Sequence, residues 1–157
     1  GHLLASDLYA LEGDLDQAFF SAQTAVALDP GLAPAWSALG FLALAQNDLR
    51  LADRAFTRAL ELAPRLVAAR TGMGVTYARE GRLARALEAQ EGAVALDSSH
   101  LAAQNNLGAV YLGLGRLEEA ATQFRAVIAA QLTKTSTLPC RAAKSFTAGP
   151  SVTSSWV

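Results

Sequence analysis

With a single cysteine, Cys140, the chain can form no internal disulfide and no multi-cysteine metal site. No apolar run approaches the roughly 18 residues that a membrane helix needs, and no basic segment leads into a hydrophobic one near the start. Neither sign of charge dominates: 13 basic and 14 acidic residues are mixed along the chain, which removes the electrostatic case for nucleic-acid binding. Lysine is absent until Lys134 and Lys144, and only two histidines occur, His2 and His100. With so few nucleophiles and bases, catalysis has little to work with, and no catalytic residue, metal or cofactor is expected. Paired acids such as Glu118-Glu119 diverge on a helix and suit the dipole of its first turn. Gly72-Met73-Gly74 falls in the middle of a helix, where glycine serves close packing rather than a phosphate.

What is present is a repeat. From Gly40, steps of 34 residues land on Gly74 and Gly108; from Leu39, on Met73 and Leu107; from Ala52, on Ala86 and Ala120. Backward steps take Ala52 to Ala18, Ala59 to Ala25 and Pro64 to Pro30, while Tyr77 and Tyr111 share a position with Tyr9. Residues 33–66 show the pattern most fully, with Trp36, Leu39 and Gly40 on one helix and Ala52, Phe56 and Ala59 on one stripe of the next. Two small residues flank one large ring, so Phe56 has room to insert. Pro64 then stops the second helix.

The turns inside the pairs repeat as well, as Gly13-Asp14-Leu15, Asn47-Asp48-Leu49, Gly81-Arg82-Leu83 and Gly115-Arg116-Leu117. Gly or Asn at a helix end suits a left-handed cap, and the leucine anchors the following helix. Between units the breaks are Asp29-Pro30-Gly31, Ala63-Pro64-Arg65 and Asp97-Ser98-Ser99-His100. These signals predict eight helices near residues 3–12, 16–28, 34–46, 50–62, 67–79, 83–96, 101–113 and 117–131. The third unit departs from the pattern with Arg70 for Trp36, Gln90 for Phe56 and Ser98 for Pro64. The fourth has Gln104 for the tryptophan and Val127 for Ala59, and the first has Ser6 for Gly40 and Ala22 for Phe56.

Large and small residues at this spacing resemble the tetratricopeptide repeat, a helix–turn–helix unit of about 34 residues. The resemblance implies an all-α fold, a right-handed solenoid of antiparallel helix pairs, with about four repeats over 1–32, 33–66, 67–100 and 101–132. The first repeat begins abruptly, which points to a piece of a longer array. From residue 133 the composition turns to Ser and Thr with two prolines and no acid, so 133–157 reads as a disordered tail of different origin. Arginine-only, alanine- and leucine-rich repeats suggest a bacterium with a GC-rich genome. A cytoplasmic location is favoured, and a periplasmic one is compatible.

In this family the first helix of each pair lines a concave surface that takes a peptide or helix. By register this implies a groove of Asp7, Ser37, Phe41, Leu44, Thr71, Val75, Ala78, Arg79, Asn105, Asn106, Ala109 and Leu112. Phe41 and Leu44 are the expected anchors, with Asn105, Asn106 and Arg79 fixing direction. The family's carboxylate clamp needs lysine from successive first helices, which the repeats lack. An asparagine ladder is also missing, since Ala38 and Gly72 stand where Asn106 would repeat. The implied function is a non-catalytic scaffold for a protein or peptide partner. Two other readings are the repeat region of a larger glycosyltransferase, sulfotransferase or methyltransferase, and a module for self-assembly into a homo-oligomer.

Overall fold

The computed structural model describes residues 14–136; the helix expected near 3–12, the groove residue Asp7 and most of the Ser/Thr-rich tail lie outside the described residues. The described residues form seven helices and no strand: α1 Leu15–Leu28, α2 Ala33–Ala45, α3 Leu49–Leu62, α4 Val67–Arg79, α5 Leu83–Leu96, α6 Leu101–Gly113 and α7 Leu117–Ser136. Each helix packs on the next, and the first helices of successive pairs, α2, α4 and α6, also touch one another. The last helix runs to Ser136 rather than ending near 131, because Gln131, Leu132 and the residues after them present no glycine or proline to stop it.

The pairs α2–α3, α4–α5 and α6–α7 are each closed by the left-handed cap their sequence predicts. Asn47, Gly81 and Gly115 have φ of 60°, 77° and 73°. Beside them the amides of Asp48, Arg82 and Arg116 donate to the carbonyls of Ala43, Tyr77 and Tyr111 at 2.8, 2.9 and 2.9 Å. That is the six-residue closure that satisfies a carbonyl left over at a helix end.

The residue after the cap takes one of two roles. Asp14 and Asp48 accept from the amides of Gln17 and Leu51 at 3.1 and 3.0 Å, capping α1 and α3. Arg82 and Arg116 instead lie over the rings of Tyr77 and Tyr111, 5.0 and 4.7 Å from the centroids. In the second unit Tyr77 is replaced by Ala43, which offers no ring to cover.

A second recurrence ties each turn between units to the helix that follows. Trp36 Nε1 donates to Pro30 O at 3.0 Å, an Arg70 terminal nitrogen donates to Pro64 O at 3.0 Å, and Gln104 Nε2 donates to Ser98 O at 2.6 Å. Tryptophan, arginine and glutamine differ in size but share an N–H donor. The substitutions at 70 and 104 thus keep one element of the unit's chemistry.

The centre of the molecule is Phe56, fully buried between α2 and α4 among Ala52, Ala59, Ala69 and Met73. A Cβ on Gly40 would stand 2.6 Å from this ring, and one on Gly72 would overlap it. Both helices come this close because neither carries a side chain at the point of contact. Ala18, Ala52, Ala86 and Ala120, one period apart, are all buried and keep the second helices close to the first.

Near the far end, Tyr111 is buried and its hydroxyl donates to Glu91 Oε1 at 3.1 Å. Burial, then the hydrogen bond to Glu91 and its charge, raises the phenol above the ordinary tyrosine range. The folded state therefore holds this proton more tightly than the unfolded chain does. Its contribution to stability is complete below the unfolded pKa of about 10 and is lost as pH rises through the higher folded value. Thermal melts followed between pH 9 and 11.5 should show a steeper fall for the natural chain than for Tyr111→Phe. Equal slopes would mean that Glu91 and burial do not bias this proton.

Candidate peptide-binding groove

A first helix with its own partner on one side and neighbouring first helices on two others keeps only a narrow stripe open. In α2 that stripe is Pro34, Phe41 and Ala45, with Ala38 partly covered. One period on, Val75 and Arg79 continue it along α4, and Asn106 and Ala109 along α6. The side chains expected in the groove divide accordingly. Phe41, Val75, Arg79 and Asn106 lie on the stripe.

Ser37, Leu44 and Thr71 do not: they are 5%, 5% and 3% exposed and fill the seam where one first helix meets the next. Leu44 packs in the Phe56 cluster with Ala69 and Met73, so it is a core residue and not an anchor. Asn105 and Leu112 occupy the same seam positions in the fourth unit, one period after Thr71 and two after Leu44. They are exposed, Leu112 by 50%, because no following first helix is present among the described residues. Their exposure comes from the end of the described stack.

Phe41 is held at the surface by what lies beneath it. Its ring is 41% exposed and meets the Phe56 ring edge-on, with centroids 5.0 Å apart and planes at 75°. Such pairs contribute about 0.5–1.5 kcal/mol beyond the area they bury. The ring is therefore a pre-positioned apolar contact.

Arg79 is already engaged. Its guanidinium donates to Leu44 O at 2.6 Å, a carbonyl in the last turn of α2. This bond braces one unit against the next and suits the negative end of a helix. Arg79 then borders a hollow of about 350 Å³ formed with Gly74, Val75 and Ala78 of α4, Leu83 and Gln90 of α5, and Asn106, Ala109 and Val110 of α6. Gln90 was legible as a departure at the Phe56 position, yet nothing in the pattern marked it as part of a site. No cluster of His, Cys, Asp or Glu able to hold a metal occurs among the described residues, and His100 stands at the start of α6 without a side-chain cap bond.

The model of the tetratricopeptide repeat matches residues 33–66 and 101–133. These two segments are tetratricopeptide repeats. Two crystal structures of MamA superpose at TM-scores of 0.72 and 0.70, each at 25% identity, over 86% and 87% of this chain and 79% and 75% of theirs. A MamA fragment described as 41-end, from Desulfovibrio magneticus RS-1, superposes at 0.72 over 84% of this chain and 75% of its own, and at 22% identity it shows the fold alone. No curated protein sequence matches. The matched repeats and the MamA-like stack of helix pairs support a protein-interaction scaffold. No helix among the described residues is long and apolar enough to cross a membrane.

Proposed function

We propose that this tetratricopeptide solenoid holds an extended peptide or an amphipathic helix of a protein partner along the open stripe of α2, α4 and α6. The observation that carries this reading is Phe41. A large ring left two-fifths exposed on a fully buried support is a rigid apolar anchor of the sort that dominates binding interfaces. Val75 and Ala109 extend the apolar track, and the Asn106 amide can pair with a backbone. Arg79 frames the track rather than gripping a carboxylate, since its guanidinium is committed to Leu44 O.

Selection of a phage-displayed random peptide library on the full chain tests this. The peptides recovered should bind the Phe41→Arg variant at least tenfold more weakly, a loss of about 1.4 kcal/mol or more. Far-UV circular dichroism should be unchanged, because Phe41 covers the core without filling it. Peptides that bind both forms equally would remove the stripe as the binding surface.

A further inference from the structure

We propose that the face of α4 turned away from the groove stripe carries a second binding site, a hollow that takes the carboxylate of a glutamate side chain in an acidic segment of a protein partner. Arg70, Met73 and Tyr77 stand three and four residues apart on α4. With Leu60 of α3 and Arg85, Glu88 and Ala89 of α5 they enclose about 340 Å³. The neighbouring units show what is unusual here. One unit earlier the positions of Arg70 and Arg85 are Trp36 and Leu51, which pack against the buried Phe56 cluster. One unit later the position of Arg85 is Glu119, whose Oε1 accepts from Arg116 at 3.0 and 2.9 Å. Tyr111, the counterpart of Tyr77, donates its hydroxyl to Glu91 Oε1 at 3.1 Å. The fourth unit thus serves its tyrosine and its arginine with two carboxylates. In the third unit both are gone: Thr57 stands one period before Glu91, and Arg85 replaces Glu119.

Donors are therefore left without an acid. Arg82 and Arg85 both lie over the Tyr77 ring, 5.0 and 5.8 Å from its centroid. Glu80 pairs with Arg82 at 3.2 Å, whereas Arg85 is exposed and makes no ion pair among the described residues, with Glu88 one turn on or with any other acid. The Tyr77 hydroxyl has no hydrogen-bond partner among them either, and it is reached by solvent rather than sealed in the core. Arg70 donates to Pro64 O from one terminal nitrogen and has its Nε buried, so it contributes charge to the wall rather than a free fork. Two guanidiniums and Glu88 leave the walls one net positive charge, which matches a single carboxylate better than a phosphate dianion. Leu60, Met73 and Ala89 offer carbon to the methylenes behind that carboxylate. The surrounding field has the same sign. Between residues 49 and 87 eight arginines stand against Asp53, Glu61 and Glu80, so charge that balances over the whole chain is locally positive.

The test is a ¹H–¹⁵N NMR titration of the full chain, at about 0.15 M salt, with a hexaglutamate peptide, a hexaglutamine peptide and inorganic phosphate. Both peptides are acetylated and amidated, so that side chains supply the only carboxylates. The glutamate peptide should shift the amides of Tyr77, Arg85 and Ala89, and the glutamine peptide should bind at least tenfold more weakly. Tyr77→Phe removes one hydroxyl donor and should weaken the glutamate peptide about fivefold. Thr57→Glu and Arg85→Glu should each abolish the shifts with far-UV circular dichroism unchanged, because each rebuilds from within a carboxylate that the fourth unit already has. Arg54→Gln, an exposed arginine of α3 outside the hollow, should change the affinity by less than about twofold. The proposal is overturned if the glutamate peptide moves none of these amides, or if phosphate moves them at a lower concentration. It is equally overturned if Arg54→Gln weakens binding as much as Tyr77→Phe, the mark of general attraction to arginine. Phe41→Arg should leave the titration unchanged, so this site and the groove stand or fall separately.

Discussion

Phe56→Ala should lower the free energy of unfolding by about 3–5 kcal/mol, a large part of the roughly 5–15 kcal/mol that holds a domain of this size. The ring is the only large aromatic side chain fully buried among the described residues, and it touches three helices at once. Its removal takes apolar area out of the core and opens a void that Ala52, Ala59, Gly40 and Gly72 are too small to refill. The companion substitution separates packing from composition. Gly72→Ala should raise helix propensity by about 1 kcal/mol, yet the new methyl would overlap the Phe56 ring. Overpacking of this kind costs about 1–3 kcal/mol, so the net effect should be a loss of up to about 2 kcal/mol. In the Phe56→Ala background the same methyl enters the vacated space and should become neutral or stabilising. Urea unfolding followed by circular dichroism at 222 nm gives the four corners of the cycle. A Gly72→Ala effect of the same size in both backgrounds would mean that the ring and the glycine are not coupled.

The contrast between Phe56 and the seam residues shows what the sequence could and could not convey. Helix positions were legible because their causes are local. Left-handed caps at Asn47, Gly81 and Gly115 and a stripe repeating every 34 residues are read without knowing where any neighbour lies. The starts of α4, α5, α6 and α7 coincide with the sequence reading, and those of α1, α2 and α3 fall one residue earlier. The groove was legible only in part, since exposure along a first helix depends on how closely the next first helix approaches. Phe41 and Ser37 are four residues apart on α2, and either could be read as facing outward. Only the packing of α4 against α2 buries Ser37 and leaves Phe41 open. Gln90 shows a different limit. Its place in the period is plain from sequence, but that a missing ring leaves a hollow, rather than a collapsed seam, is a property of three helices held apart by their other contacts.

Trp36→Ala is the second large loss expected, also about 3–5 kcal/mol, and its interest lies in how that loss divides. Trp36 packs on both the α1–α2 cluster and the Phe56 cluster, so its ring joins the first described helices to the rest. It also donates to Pro30 O, the bond that Arg70 and Gln104 make with unrelated side chains one and two periods later. If that donor fixes the turn between units, a replacement that keeps an N–H while giving up the ring should recover part of the loss. Gln104 shows that glutamine reaches the equivalent carbonyl. Trp36→Gln should therefore be more stable than Trp36→Ala by about 1 kcal/mol, the net worth of one such bond. The remainder of the deficit belongs to buried area. Circular dichroism is the appropriate probe, because Trp156 would complicate fluorescence. Equal midpoints for the two variants would assign the whole effect to the ring and leave the recurrence at 70 and 104 without an energetic role. A recovered kilocalorie would explain how residues as different as tryptophan, arginine and glutamine stand at one position of the repeat: each supplies the donor that the turn requires, while the surrounding helices set how much ring can be accommodated.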